Sequence, residues 1–151
     1  MVGVIDYLPL SPDETDLRPL SDEAWRDGYP FVERMLHDWN AGIDRFDDDG
    51  ARLVGAFEGD ELVGFGGLNR DPYTTENVGR VRLLYVTRPH RGEGVATSLF
   101  GHLLDGASIW FPRLRVRSTP GAASFYEHLG FAPVDEPDAT HALPLRPSPG
   151  V

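Results

Sequence analysis

The 151-residue chain contains no cysteine, so it has neither a disulfide framework nor a thiolate nucleophile, and a cytoplasmic location is the default expectation. Lysine is missing too, because all 14 basic residues are arginine. Its absence excludes a Schiff-base lysine and the phosphate loop G-x-x-x-x-G-K-[ST]. The nucleophile elbow G-x-S-x-G does not occur, which argues against a serine hydrolase. No apolar run approaches the roughly 20 residues that cross a bilayer. The opening residues 1–6 have neither the basic region nor the apolar stretch of a secretory leader. No membrane partner is therefore expected. A metal site is not expected either. Asp47-Asp48-Asp49-Gly50 resembles part of a calcium loop, but Arg45 and Ala56 occupy its first and last ligand positions. The five histidines are scattered without metal-ligand spacing.

What is present suits one globular domain over 1–151, with 146–151 as a frayed tail. The net charge of −10 argues against nucleic acid as a partner. Its distribution says more. Residues 1–79 carry 18 acids against 6 arginines, whereas residues 80–117 carry 7 arginines against only Glu93 and Asp105. This basic island in an acidic protein is either a chance cluster on a solvated surface or a seat for a polyanion. Charge counting alone leaves both open.

Element signals follow in order. Residues 2–8 read as a first strand, and Pro9, Pro12 and Pro19 interrupt helix nearby. A helix is expected from Ser21, its candidate cap, and Phe31, Met35, Leu36 and Trp39 recur at helical spacing. Residues 52–58 and 61–68 form a hairpin signal around Gly59-Asp60. Residues 80–86 are β-branched and aromatic enough for a strand. A helix is expected from Gly94, with Val95, Leu99, Leu103 and Ala107 on one face. A short strand over 113–117, a helix over 122–129 capped by Gly130, and strands over 131–134 and 141–145 complete an α/β (α+β) pattern with a mixed sheet.

Arg91-Gly92-Glu93-Gly94-Val95-Ala96 therefore lies between a strand and a helix. Small residues there let a phosphate approach the backbone, and the first helical amides have no partner within the helix. Arg88 and Arg91 could add charge-assisted contacts. Standing alone, the G-x-G is equally well a simple turn.

Two segments together resemble the GNAT N-acetyltransferase superfamily. Arg91, Gly94 and Ala96 fill its Q/R-x-x-G-x-G/A motif. Thr119-Pro120-Gly121-Ala122-Ala123-Ser124-Phe125-Tyr126-Glu127-His128-Leu129-Gly130-Phe131 resembles its N-x-x-A-x-x-[LF]-Y-x-x-x-G-F motif, with Thr119 replacing the frequent asparagine. The resemblance implies a single GNAT-like domain: a mostly antiparallel mixed sheet, splayed between strands 4 and 5, with helices on both faces. It implies acetyl-CoA as acyl donor. The pyrophosphate would rest on Arg91, Gly92, Glu93, Gly94, Val95, Ala96 and Thr97. The pantetheine arm would pair with Tyr85 and Val86, with further contacts at Thr119 and Ser124. Tyr126 would be the general acid for the leaving thiolate.

The implied reaction is direct attack of a small-molecule or protein amine on the thioester, which requires no enzyme nucleophile and so suits this chain. The base is not identified. Glu76, Asp71, His141 and relayed water are the candidates, and the acidic N-terminal half could attract a cationic amine. A homodimer is compatible with the resemblance. The rival reading is a catalytically silent acyl-CoA-binding or sensor module.

Overall fold

The computed structural model describes residues 3–146, and within them the chain opens with β1 (Ile5–Pro9). The expected tail, apart from Arg146, lies outside the described residues, as does Val2. Two helices follow, α1 (Arg18–Arg26) and α2 (Phe31–Asn40). The first starts at Arg18, ahead of the expected Ser21, and no side chain caps it. Pro19 falls in its first turn, where the amide that proline lacks has no intrahelical partner to lose. Pro19 thus starts a helix that it was expected to interrupt. Gly28, at φ 85, and Pro30 separate the two helices.

β2 (Arg52–Glu58) and β3 (Glu61–Arg70) form the expected hairpin, with Gly59 turning at φ 61. Next come β4 (Gly79–Val86), α3 (Val95–Leu104), β5 (Arg113–Val116), α4 (Ala123–His128), β6 (Ala132–Glu136) and β7 (Ala139–Pro144). α3 is shorter than its apolar spacing predicts. Gly106 turns left-handed at φ 71 just after it, so Ala107 is buried from a separate short turn.

The seven strands lie in the order β1-β2-β3-β4-β5-β7-β6. Neighbours are antiparallel except β4 and β5, which run parallel. These two pair only at Gly79–Leu114 and Arg80–Arg115. From Val81 onward β4 has no partner on that side, and this opening is the expected splay.

Helices cover both faces. α3 and α4 pack on one through Leu99, Phe100, Leu103 and Tyr126, against Val63, Val81, Leu114 and Val116. α1 and α2 pack on the other through Leu20, Val32, Met35 and Trp39, against Phe65 and Tyr85. Each such fully buried large side chain contributes about 1.5–3 kcal/mol, so both layers hold β4 firmly while its edge stays open.

Candidate active site

The segment after β4 forms a row of unpaired donors. Gly92 and Gly94 adopt φ 80 and φ 83, a left-handed geometry that strains any residue with a Cβ. A Cβ at either position would meet nothing within 4 Å, so the space in front of the loop is open. Gly94 is the residue before α3, and no side chain caps that helix. The first amide to find a backbone acceptor is that of Ser98, bonded to Gly94 O at 3.0 Å. Among the described residues, none of the N–H groups of Gly92, Glu93, Gly94, Val95, Ala96 and Thr97 has an acceptor within the protein. The helix dipole adds about 0.3–1 kcal/mol for an anion seated there.

The nearby arginines are held by α1. Asp27, directly after that helix, accepts from Arg88 and, at 3.4 Å, from Arg91 Nη2. Burial would raise the Asp27 carboxyl, but the hydrogen bonds and charges of Arg88 and Arg91 outweigh it and keep it below the usual carboxylate range. Arg91 also donates through Nε to Val86 O at 2.8 Å, and its guanidinium lies 5.4 Å from the Tyr85 ring centroid. Glu23 on α1 accepts from the Tyr85 hydroxyl and from the Arg88 amide. Burial, then Glu23, pushes the Tyr85 phenol well above its ordinary value.

Tyr85 and Val86 pair with Phe65 and Gly64 of β3, which leaves their other edge facing the opening. Just before them the register shifts, and β4 carries an extra residue opposite Gly66. Leu83 sits in this bulge at φ 63, a conformation that costs a non-glycine residue about 1–3 kcal/mol. A Cβ on Gly66 would lie 2.8 Å from Leu84 Cδ1, so a larger residue there would have to displace the Leu84 side chain.

Tyr126 lies on α4, after β5, the other arm of the opening. Its ring packs edge-on against Phe125 and Phe131, with centroids 5.2 and 5.5 Å away. Burial alone pushes its phenol up to about 12. Among the described residues the hydroxyl has no partner, yet the only side-chain N or O atom there both buried and unpaired is Arg115 Nη2. The Tyr126 hydroxyl therefore keeps an accessible surface. Thr119 and Ser124 are exposed at the start of the same unit.

The base candidates are all engaged. Asp71, 0% exposed at its side chain, accepts from Arg115 Nε at 2.8 Å and Arg80 Nη1 at 3.3 Å. Burial opposes its ionisation, but those bonds, the Tyr73 amide and both arginine charges prevail and hold it low. Burial also lowers Arg80 from its ordinary value, and a guanidinium stays protonated at neutral pH. Glu76 pairs with Arg113 at 2.9 Å. His141 is buried between Glu127, at 3.0 Å, and Thr140, at 2.8 Å. Glu23, Asp27 and the Leu83 bulge had no sequence motif to announce them, because each acts through a partner distant in the chain or through φ.

The chain matches the model for acetyltransferase (GNAT) domains over residues 18–147. It is similar to a candidate acetyltransferase from Exiguobacterium sp. 255-15, with a TM-score of 0.84 at 26% identity over 93% of both chains. A GNAT-family acetyltransferase from Staphylococcus aureus Mu50 shares the fold at a TM-score of 0.69 and 15% identity, over 95% of this chain and 100% of its own. So does glucosamine-6-phosphate N-acetyltransferase from Arabidopsis thaliana, at 0.63 and 13%, over 91% of this chain and 97% of its own. No curated protein sequence matches the chain.

Proposed function

The chain belongs to the acetyltransferase (GNAT) domain family, and from that premise we propose that it transfers an acetyl group from acetyl-CoA to an amine by direct attack. The observation that carries this reading is the run of six uncommitted amides from Gly92 to Thr97, placed where β4 opens away from β5. An anionic pyrophosphate satisfies those donors, and the amide-bearing arm of the donor supplies the strand partner that β4 lacks there.

The amine nitrogen attacks the thioester carbonyl. A C–N bond forms, the C–S bond breaks, the thiolate gains a proton and the nitrogen loses one. Tyr126, with its phenol near 12, stays protonated at neutral pH and is a donor throughout. Complete proton transfer from such a phenol to a thiolate of pKa about 8.5 costs about 5 kcal/mol. Its role is therefore to donate a hydrogen bond to the developing thiolate, a contribution on the order of 10²-fold when aimed at growing charge. Because Asp71 and Glu76 are held by arginines, in this reading the amine proton leaves to water. An alkyl amine of pKa about 10.4 then reacts through its free-base fraction, at a cost of about 4.6 kcal/mol at pH 7.

The same paired carboxylates favour the second reading, a silent acyl-CoA-binding module. Calorimetric titration with acetyl-CoA, followed by a thiol-release screen over amines, separates the two. Binding with amine-dependent thiol release supports the transferase, binding without release supports the silent module, and absence of binding overturns both.

A further inference from the structure

The face of the sheet opposite α3 and α4 carries a row of arginines. In β5, Leu114 and Val116 enter the core beneath α3, so the alternation of the strand puts Arg113 and Arg115 on the other face; Arg117, the first residue beyond β5, reaches Asp138, whose carbonyl also holds Arg80. Val81 does the same for β4, placing Arg80 and Arg82 opposite. Arg80 and Arg115 are the last residues paired before the strands part. Two positions further on stand Arg82 and Arg117, one on each arm of the opening.

These two differ from their neighbours in how they are held. The inner arginines have close partners: Arg113 meets Glu136 and Glu76 at 2.9 Å, and Arg115 meets Asp71 at 2.8 Å. Arg80 donates to Asp138 O at 2.8 Å. The outer two are loose. Arg82 reaches Asn69 Oδ1 at 3.4 Å and Asp44 at 3.6 Å. Arg117 is 68% exposed and, among the described residues, reaches only Asp138, at 3.9 Å. Between them in register, Arg115 keeps Nη2 buried without an acceptor, so this face is one oxygen short even inside.

Backbone strain reaches this place at Leu83, whereas Asp138 takes its positive φ as the second residue of the β6–β7 turn, a position an aspartate fills readily. Phe46, Leu83 and Asp138 are the non-glycine residues with positive φ among the described residues. Leu83 follows Arg82, Asp138 is the partner of Arg117, and the Phe46 amide bonds Asp44, the partner of Arg82, at 3.1 Å. Left-handed non-glycine residues persist where the surroundings impose them, and they concentrate at ligand clamps and active sites.

Resting on the acetyl-transfer reading, we propose that Arg82 and Arg117 clamp an anionic group, a carboxylate or a phosphate, on the acceptor, so that the substrate is an anionic amine. The donor cradle lies at the start of α3, which leaves the arginine face for the acceptor. The anion displaces the long contacts to Asp44 and Asp138 with charge-assisted forks that guanidinium groups make in pairs. The amine end of the same molecule is then held at the opening, beside the bulge.

The test uses matched amines with acetyl-CoA: β-alanine against β-alaninamide, and phosphoethanolamine against ethanolamine. The wild type is expected to prefer one anionic member by roughly 10- to 100-fold in kcat/KM, and the better pair tells carboxylate from phosphate. In Arg82→Gln and Arg117→Gln the ratio within that pair falls toward one. Equal rates within both pairs, or a preference that survives both substitutions, overturns the clamp. A second measurement does not depend on turnover. Inorganic phosphate and malonate are titrated, by thermal shift, into protein saturated with CoA so that the cradle is filled. A rise in Tm that both variants lose supports the clamp, and no rise for either anion overturns it. If CoA does not bind, the donor reading fails, and the same anion titration on the protein alone still decides the clamp through the two variants.

Discussion

Asp71 and Asp27 each accept hydrogen bonds from two arginines, but the arginines differ sharply in exposure. Those on Asp71, Arg80 and Arg115, are 8% and 4% exposed. Those on Asp27, Arg88 and Arg91, are 66% and 44% exposed. The first group is sealed where β4 and β5 still pair, and every guanidinium there depends on its carboxylate for compensation. The second lies beside the row of uncommitted amides, where water reaches both arginines although the Asp27 carboxylate between them is 6% exposed. One chemical arrangement thus locks the base of the opening and, on the other side, holds arginines ready at its mouth.

The difference can be broken by substitution. The largest expected effect is Asp71→Ala, which removes the shared carboxylate of two buried guanidinium groups, leaving Arg80 only Asp138 O and Arg115 only Glu136, and costs about 3 kcal/mol of stability, read by urea unfolding. The same pair sets an acid edge. Asp71 and Glu136 are both held below their ordinary values, so their contribution is complete above the unfolded carboxylate value near 4 and is lost as pH falls through the lower folded values. Asp71→Asn removes the Asp71 share of that acid sensitivity and leaves the share carried by Glu136.

Next in size is Tyr126→Phe, which lowers kcat on the order of 10²-fold while KM for acetyl-CoA changes little. Because the phenol is pushed up to about 12, the wild-type rate shows no descending limb between pH 8 and 10. The raised phenol also contributes stability that is complete below the unfolded value near 10 and lost as pH rises through the folded one. Gly94→Glu comes next. It forces a side chain into φ 83 and sets a negative charge among the phosphate donors, and calorimetry should show CoA affinity at least about tenfold weaker. The smallest effect is expected at the exposed group. Asp27→Asn frees Arg88 and Arg91 and tightens CoA binding by roughly two- to fivefold, less at high salt.

The same contrast explains what could be read in the sequence. The donor side is local: strand, glycine turn and helix start are consecutive, so their chemistry is visible in one string. The splay followed from the family resemblance, and the pairing at Arg80–Arg115 shows where it begins. The arginine face was not legible. It is assembled from Asp44, Asn69 to Asp71, Arg80 to Leu83, Arg113 to Arg117 and Glu136 to Asp138, five separate segments brought together by strand register. The basic island registered its arginines, but only the sheet alternation divides them into a cradle set and a face set. The sequence offers Asp71 and His141 only as candidate bases. Burial and partners make them parts of the frame instead.

The most direct test of the central claim follows isotope-labelled acetyl from acetyl-CoA into phosphoethanolamine and β-alanine by mass spectrometry, with wild type and Gly94→Glu side by side. The account predicts labelled N-acetyl product and stoichiometric free thiol in the wild type, both sharply reduced when the cradle is blocked. Labelled product formed equally well by Gly94→Glu would contradict the assignment of Gly92 to Thr97 as the donor's phosphate seat, and tight acetyl-CoA binding with no labelled product from any amine would contradict acetyl transfer itself.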